Sequence, residues 1–116
     1  MQLNLYLVVQ NMDRAVDFYQ GLFQKPPLMR SESYTTFDLN GALWGLFNAQ
    51  HYPVPVQQGG QVVPNLLVSD IDAEHTRVAA LNPAFITDIR ANGPYRLFVI
   101  SDPEGTPIEL YAHAGA

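Results

Sequence analysis

Val9-Gln-Asn-Met-Asp13 closes an apolar run and opens a helical one, and the same junction returns 59 residues later as Val68-Ser-Asp-Ile-Asp72. A second echo lies downstream of each. Asp38-Leu-Asn-Gly41 returns as Asp102-Pro-Glu-Gly105, 64 residues on. The chain is one unit written twice. A unit of about half this length buries too little apolar surface to hold itself together, so the two copies are expected to share one sheet, one core and a cleft between them.

Upstream of the first junction, Leu3, Leu5, Leu7 and Val9 alternate with Asn4, Tyr6, Val8 and Gln10, and that period of two describes a strand with its aliphatic set on one face. Downstream, Asn11 offers a capping oxygen and Asp13 suits the positive end of a helix. Met12, Ala15, Val16, Tyr19, Leu22 and Phe23 recur at helical spacing, and Pro26-Pro27 stop the helix. Strands are expected over 28–31, 34–39 and 42–49, the last two turned by Asn40-Gly41. The stretch 52–60 carries Pro, Gly and Gln without periodicity and reads as a linker. The pattern then restarts. A strand over 62–68 precedes a helix capped by Asp70 and running through 81, and strands over 84–89, 96–101 and 106–112 follow, the last pair turned by Asp102-Pro-Glu-Gly105. The expected fold is α+β, tandem βαβββ modules forming a curled mixed sheet. It makes one domain over 1–116, with module one at 1–50, a linker at 51–61 and module two at 62–116.

The 116 residues carry 11 acidic and 6 basic side chains, a formal charge of −5 spread along the chain. A nucleic-acid surface needs clustered Lys and Arg, so none is expected. The absence of Cys removes disulfides, thiolate nucleophiles and Cys-ligated zinc. The first strand lacks the basic flank and cleavage site of a signal peptide, and no apolar run approaches the roughly 20 residues of a membrane span, so a soluble cytoplasmic protein is expected. There is no Gly-rich phosphate cradle, no Gly-x-Ser-x-Gly elbow and no His-Glu-x-x-His. Nucleotide-dependent, serine-hydrolase and zinc-peptidase chemistries fall away.

The two modules, the Asp17-Phe18-Tyr19 of the first helix and the run Asp-Pro-Glu-Gly-Thr-Pro-Ile-Glu-Leu-Tyr from Asp102 to Tyr111 resemble the vicinal oxygen chelate superfamily. Its members include glyoxalase I, extradiol dioxygenases, methylmalonyl-CoA epimerase and the fosfomycin and bleomycin resistance proteins. The resemblance covers essentially the whole chain and speaks for fold more than for reaction. In metal-dependent relatives, four inward positions hold a divalent ion. By that correspondence they fall here on Asn4, Gly45, Val63 and Glu109, of which only Glu109 is a usual ligand. One carboxylate cannot supply the several donors a divalent metal needs, so the resemblance implies a degenerate metal site and no metal cofactor. His51, His75 and His113 are scattered and are not expected to rescue it. Relatives commonly dimerise, which implies a homodimer, and the linker could permit modules to be exchanged between chains.

The period of two places Asn4, Tyr6 and Val8, then Leu43, Gly45 and Phe47, then Val63, Asn65 and Leu67, and finally Glu109 and Tyr111 on the face lining the cup. Trp44, Leu46, Ile108 and Leu110 have the opposite parity and belong beneath the helices. Aromatic walls with a few polar groups suit a small, partly aromatic ligand, with Asn4, Tyr6, Gly45, Phe47, Asn65 and Tyr111 as the candidate contacts. Equally, the aromatic rings could fill a collapsed cup. Gly45 favours an open one by leaving room for a bound group, although a strand glycine also suits a bulge or tight packing. Glu109 is the candidate catalytic residue. A carboxylate among apolar walls holds its proton more tightly and could act as acid, base or ligand grip, or it could pair with Arg96 as a structural ion pair. Two functions remain open: metal-free binding of a small aromatic compound, as in the bleomycin-resistance members, or a metal-dependent lyase or dioxygenase that uses Glu109. A ferredoxin-like domain is the other fold with this alternation, but it leaves the duplicated turns unexplained.

Overall fold

Asn11 accepts a hydrogen bond from the Arg14 N–H at 3.0 Å and Asp70 accepts one from Ala73 at 3.1 Å, so each copy starts its helix with the same capping chemistry. The computed structural model describes residues 3–55 and 62–115 and divides into two compact units, Met1–Gln58 and Gly59–Ala116. Most of the expected linker, 56–61, lies outside the described residues. No helix among the described residues is long and apolar enough to cross a membrane.

The first unit holds β1 (Leu5–Val9), α1 (Met12–Phe23), β2 (Met29–Arg30), β3 (Tyr34–Leu39) and β4 (Ala42–Asn48), then a 3₁₀ turn at Ala49–His51. Its sheet runs β1-β4-β3-β2, with β1 parallel to β4 and the other pairs antiparallel. The helix ends at Gln24, whose left-handed φ of 57° lets its N–H reach the Gln20 carbonyl at 2.9 Å before Pro26 arrives. Tyr19, Phe23, Phe37 and Trp44 interlock between helix and sheet, with ring centroids 5.3 to 5.5 Å apart. Val16 and Leu46 are buried beside them. Trp44 and Leu46 thus lie beneath the helix, as their parity requires, although the Trp44 indole N–H and the Thr35 hydroxyl find no hydrogen-bond partner among the described residues.

The second unit holds β5 (Asn65–Leu67), α2 (Ile71–Ala79), β6 (Phe85–Ile86), β7 (Arg90–Asn92), β8 (Tyr95–Ser101) and β9 (Pro107–His113). Its sheet runs β5-β9-β8-β6, with β7 also on β8. Val78, Phe98, Ile100, Ile108 and Leu110 form its core.

Four expectations are corrected. Hydrogen bonding divides the described strands into two sheets, one in each unit, rather than a single shared one. β5 is shorter than 62–68 because Pro64 has no N–H for the ladder, although its carbonyl still accepts from Glu109 at 3.0 Å. α2 stops at Ala79, short of 81, where Leu81 and Asn82 close tighter bonds to Val78 and Ala79 and Asn82 turns left-handed. The strand expected over 84–89 forms only at Phe85–Ile86, and β7, which was not expected, follows at Arg90–Asn92. At the break the Thr87 hydroxyl accepts the Val99 N–H at 2.9 Å in place of a backbone carbonyl, and the chain resumes pairing at β7.

The duplicated turns share a mechanism. Asp38 accepts the Gly41 N–H at 2.9 Å, and Asp102 accepts the N–H groups of Glu104 and Thr106, both at 2.9 Å. Asp102 is only 1% exposed. Leaving its two donors unsatisfied should cost about 2 to 3 kcal/mol in Asp102→Ala, and the single bond lost in Asp38→Ala about 1 kcal/mol or less. Urea unfolding of the two variants measures the difference.

Candidate functional site

The β1–β4 ladder sets Tyr6 opposite Gly45 and Val8 opposite Phe47, while β3 lays Thr36 opposite Gly45 and Tyr34 opposite Phe47. Paired residues share a face, so Tyr6, Tyr34 and Phe47 meet on the side of the first sheet away from α1. Tyr52, just past the 3₁₀ turn, joins them. Centroid separations are 6.2 Å for Tyr6–Tyr34, 5.9 Å for Tyr6–Phe47, 5.6 Å for Tyr34–Phe47 and 5.2 Å for Phe47–Tyr52. The Tyr6 and Tyr52 hydroxyls lie 3.4 Å apart, and that bond raises the Tyr6 phenol above its ordinary value. Tyr6 remains 44% exposed, so this aromatic face is open to solvent. Val8 adjoins it and lines a shallow hollow of about 270 Å³ with Ala49, Gln50 and Val54.

Gly45 does not leave a vacant floor, as the sequence suggested. A Cβ there would stand 2.8 Å from the Tyr34 hydroxyl, 2.9 Å from Tyr34 Cε1 and 2.8 Å from Tyr6 Cβ. The missing side chain makes room for the ring of Tyr34. Asn4 precedes the first paired residue of β1 and is exposed; the residue opposite Gly45 is Tyr6.

In the second unit Asn65 stands opposite Glu109, Leu67 opposite Tyr111, and Leu97 and Val99 flank them from β8. Tyr95 packs edge-on against Tyr111 at 5.7 Å. Glu109 is half-buried, and the residue opposite it is Asn65 rather than Val63, which is exposed. Its proposed partner Arg96 is committed elsewhere. The guanidinium donates to both oxygens of Asp72, at 2.9 and 3.0 Å, and these bonds hold the Asp72 carboxyl below its usual range.

The histidines have structural employment. His51 Nδ1 lies 2.7 Å from the Ser33 hydroxyl, His75 Nε2 lies 2.8 Å from the Thr87 carbonyl oxygen and its ring meets Phe98 edge-on, and His113 packs at a tilt against Tyr95, 5.2 Å between ring centroids. Among the described residues no three His, Asp or Glu side chains come together as a metal site.

Sequence reasoning missed Tyr34 and Tyr52. Tyr34 had a signal, since the tight Asn40-Gly41 turn pairs Leu39 with Ala42 and counting back brings Tyr34 to Phe47. Tyr52 sits in an aperiodic stretch and had none.

Gly45→Ala should push the Tyr34 ring and Tyr6 Cβ away from position 45 at a cost of about 1 to 3 kcal/mol, read as a lower urea midpoint. Asp72 gives a pH dependence. Its lowered carboxyl favours the folded state above the ordinary value of 3.8, and this is lost as pH falls through the folded value. Asp72→Asn should therefore melt slightly below wild type at pH 6, the gap closing in acid; it is small because the pair is exposed.

No family model matches the chain. Over 116 residues it is 31% identical to the phenazine antibiotic resistance protein EhpR of Enterobacter agglomerans, a match that takes in 92% of this chain and 88% of that one. A solved glyoxalase/bleomycin resistance protein/dioxygenase from Nocardioides superposes with a TM-score of 0.80 at 21% identity, over 100% of this chain and 85% of that one. A glyoxalase-related enzyme from Fulvimarina pelagi superposes at 0.82 and 16% identity, over 97% and 88%. TioX from Micromonospora sp. ML1 gives 0.75 and 21%, over 97% and 98%. At those identities the solved structures speak for fold alone. With the curated relative, the repeated order of a strand, a capped helix and a run of further strands, and the paired Asp turns, the chain belongs to the glyoxalase/bleomycin resistance/dioxygenase superfamily, the vicinal oxygen chelate proteins.

Proposed function

We infer that this protein binds a flat, phenazine-like heteroaromatic compound on the aromatic face of its first module, without a metal ion and without changing the ligand chemically. The observation that carries this reading is the group of four rings, Tyr6, Tyr34, Phe47 and Tyr52, gathered around Gly45 on a face open to solvent. Stacked and edge-on contacts with such rings favour flat π-systems, and the tyrosine hydroxyls add donors for ring nitrogens or a carboxylate. The 31% identical relative, a phenazine antibiotic resistance protein, supports that ligand class.

The residues do not fit the superfamily's metal. Glycine stands at one expected ligand position with Tyr34 pressed against it, and Glu109 faces an asparagine, too few donors for a divalent ion. In this reading Glu109 is a polar contact beside Asn65 and Tyr111. In this reading the protein is a homodimer, and sedimentation equilibrium should give twice the chain mass of 12.9 kDa.

Calorimetric titration with phenazine-1-carboxylate should give one saturable site, weakened about five- to tenfold by Phe47→Ala or Tyr6→Ala. No saturable binding would refute the ligand class. Elemental analysis of protein purified without chelator should find far less than one metal per chain, and a stoichiometric transition metal would refute the metal-free reading.

A further inference from the structure

We propose that Tyr34 is the specificity-determining residue of this aromatic face, a fixed ring that closes the β3 side and so limits the width of the flat ligand that Tyr6, Phe47 and Tyr52 accept. The inference rests on the ligand reading above and deepens it. Tyr34 lies flush with the sheet because Gly45 has no Cβ, its hydroxyl and Cε1 within 3 Å of where that atom would be. It stands at right angles to Tyr6, with 6.2 Å between centroids and an interplanar angle of 89°, so the two rings cannot both lie flat against one planar ligand, and the stacking surface ends at Tyr34.

The ring's position is set by more than packing. Tyr34 donates its N–H to the Ser31 hydroxyl at 3.0 Å, that hydroxyl donates to the Tyr34 carbonyl at 2.9 Å, and the Ser31 N–H reaches the same carbonyl at 2.9 Å. Asn48 ties the same turn to β4, its backbone N–H bonding the Ser33 carbonyl at 2.8 Å and its side-chain amide the Glu32 carbonyl at 3.1 Å. The backbone beneath the ring is thus anchored at both its N–H and its carbonyl, so the ring can clear the way for a wider ligand only by turning about its own side-chain bonds, out of the seat beside Gly45. Tyr52 is held more lightly, its N–H reaching Ala49 at 3.3 Å.

Removing the ring should expose the Gly45 backbone and lengthen the flat surface by about the width of one ring. Equilibrium dialysis with a two-ring probe (quinoxaline), a three-ring probe (phenazine-1-carboxylate) and a four-ring probe (benzo[a]phenazine) tests this on wild type, Tyr34→Ala, Tyr34→Leu and Tyr34→Phe. Wild type should bind the four-ring probe roughly tenfold more weakly than the three-ring one, and Tyr34→Ala should abolish that preference, while Tyr34→Phe keeps it within about twofold. Tyr34→Leu, which retains apolar volume without the ring's reach, should fall with alanine and serves if the alanine variant does not fold. Wild-type binding with the preference unchanged in both truncations overturns the specificity role alone. No binding of any probe by wild type or variants overturns both this inference and the ligand reading. Binding of the four-ring probe gained only on truncation supports the proposal directly.

Discussion

The parallel ladder between the first and last strands of each copy is the constraint from which the rest of the molecule follows. Because β1 pairs with β4 and β5 with β9, each helix crosses back over its own sheet and buries one set of alternating side chains, leaving the other set together on the far face. The ladders also carry the duplication to the level of single residues. Tyr6 opposite Gly45 in one copy corresponds, at the offsets of 59 and 64 seen in the sequence, to Asn65 opposite Glu109 in the other. A slip of one residue in either ladder would exchange core and far face throughout that unit.

On this common scaffold the two faces have diverged. Tyr6, Gly45, Phe47 and Tyr34 in the first copy answer to Asn65, Glu109, Tyr111 and Leu97 in the second. One copy concentrates rings, and the other places an amide and a carboxylate beside Tyr111. The core faces diverged far less in kind, with Trp44 and Leu46 against Ile108 and Leu110, all buried. Packing beneath a helix favours apolar volume, whereas a face turned to solvent is free to acquire chemistry.

Gly45 shows how a deleted side chain can close space as well as open it. Its absence lets Tyr34 settle against the backbone, and the Tyr6 and Phe47 rings then collect around that seat. The ion pairs show the same rule of nearest available partner. Arg96 reaches Asp72 on the helix with two parallel bonds, a geometry a guanidinium satisfies best with a single carboxylate.

The order of elements, the helix caps, the turns at Asp38 and Asp102 and the parity that sends Trp44 and Ile108 inward are local properties, so the amino-acid sequence alone determined them. They depend on neighbours within a few residues and on periods of two and 3.6. Only the tertiary structure decided that the strands divide into two sheets, that Thr87 interrupts a strand by substituting its hydroxyl for a carbonyl, that Asp72 and not Glu109 takes Arg96, and that Tyr34 occupies the place beside Gly45. Each of these is a contact between residues far apart in the chain, set by register and by side-chain reach across a ladder. Spacing along one strand records neither.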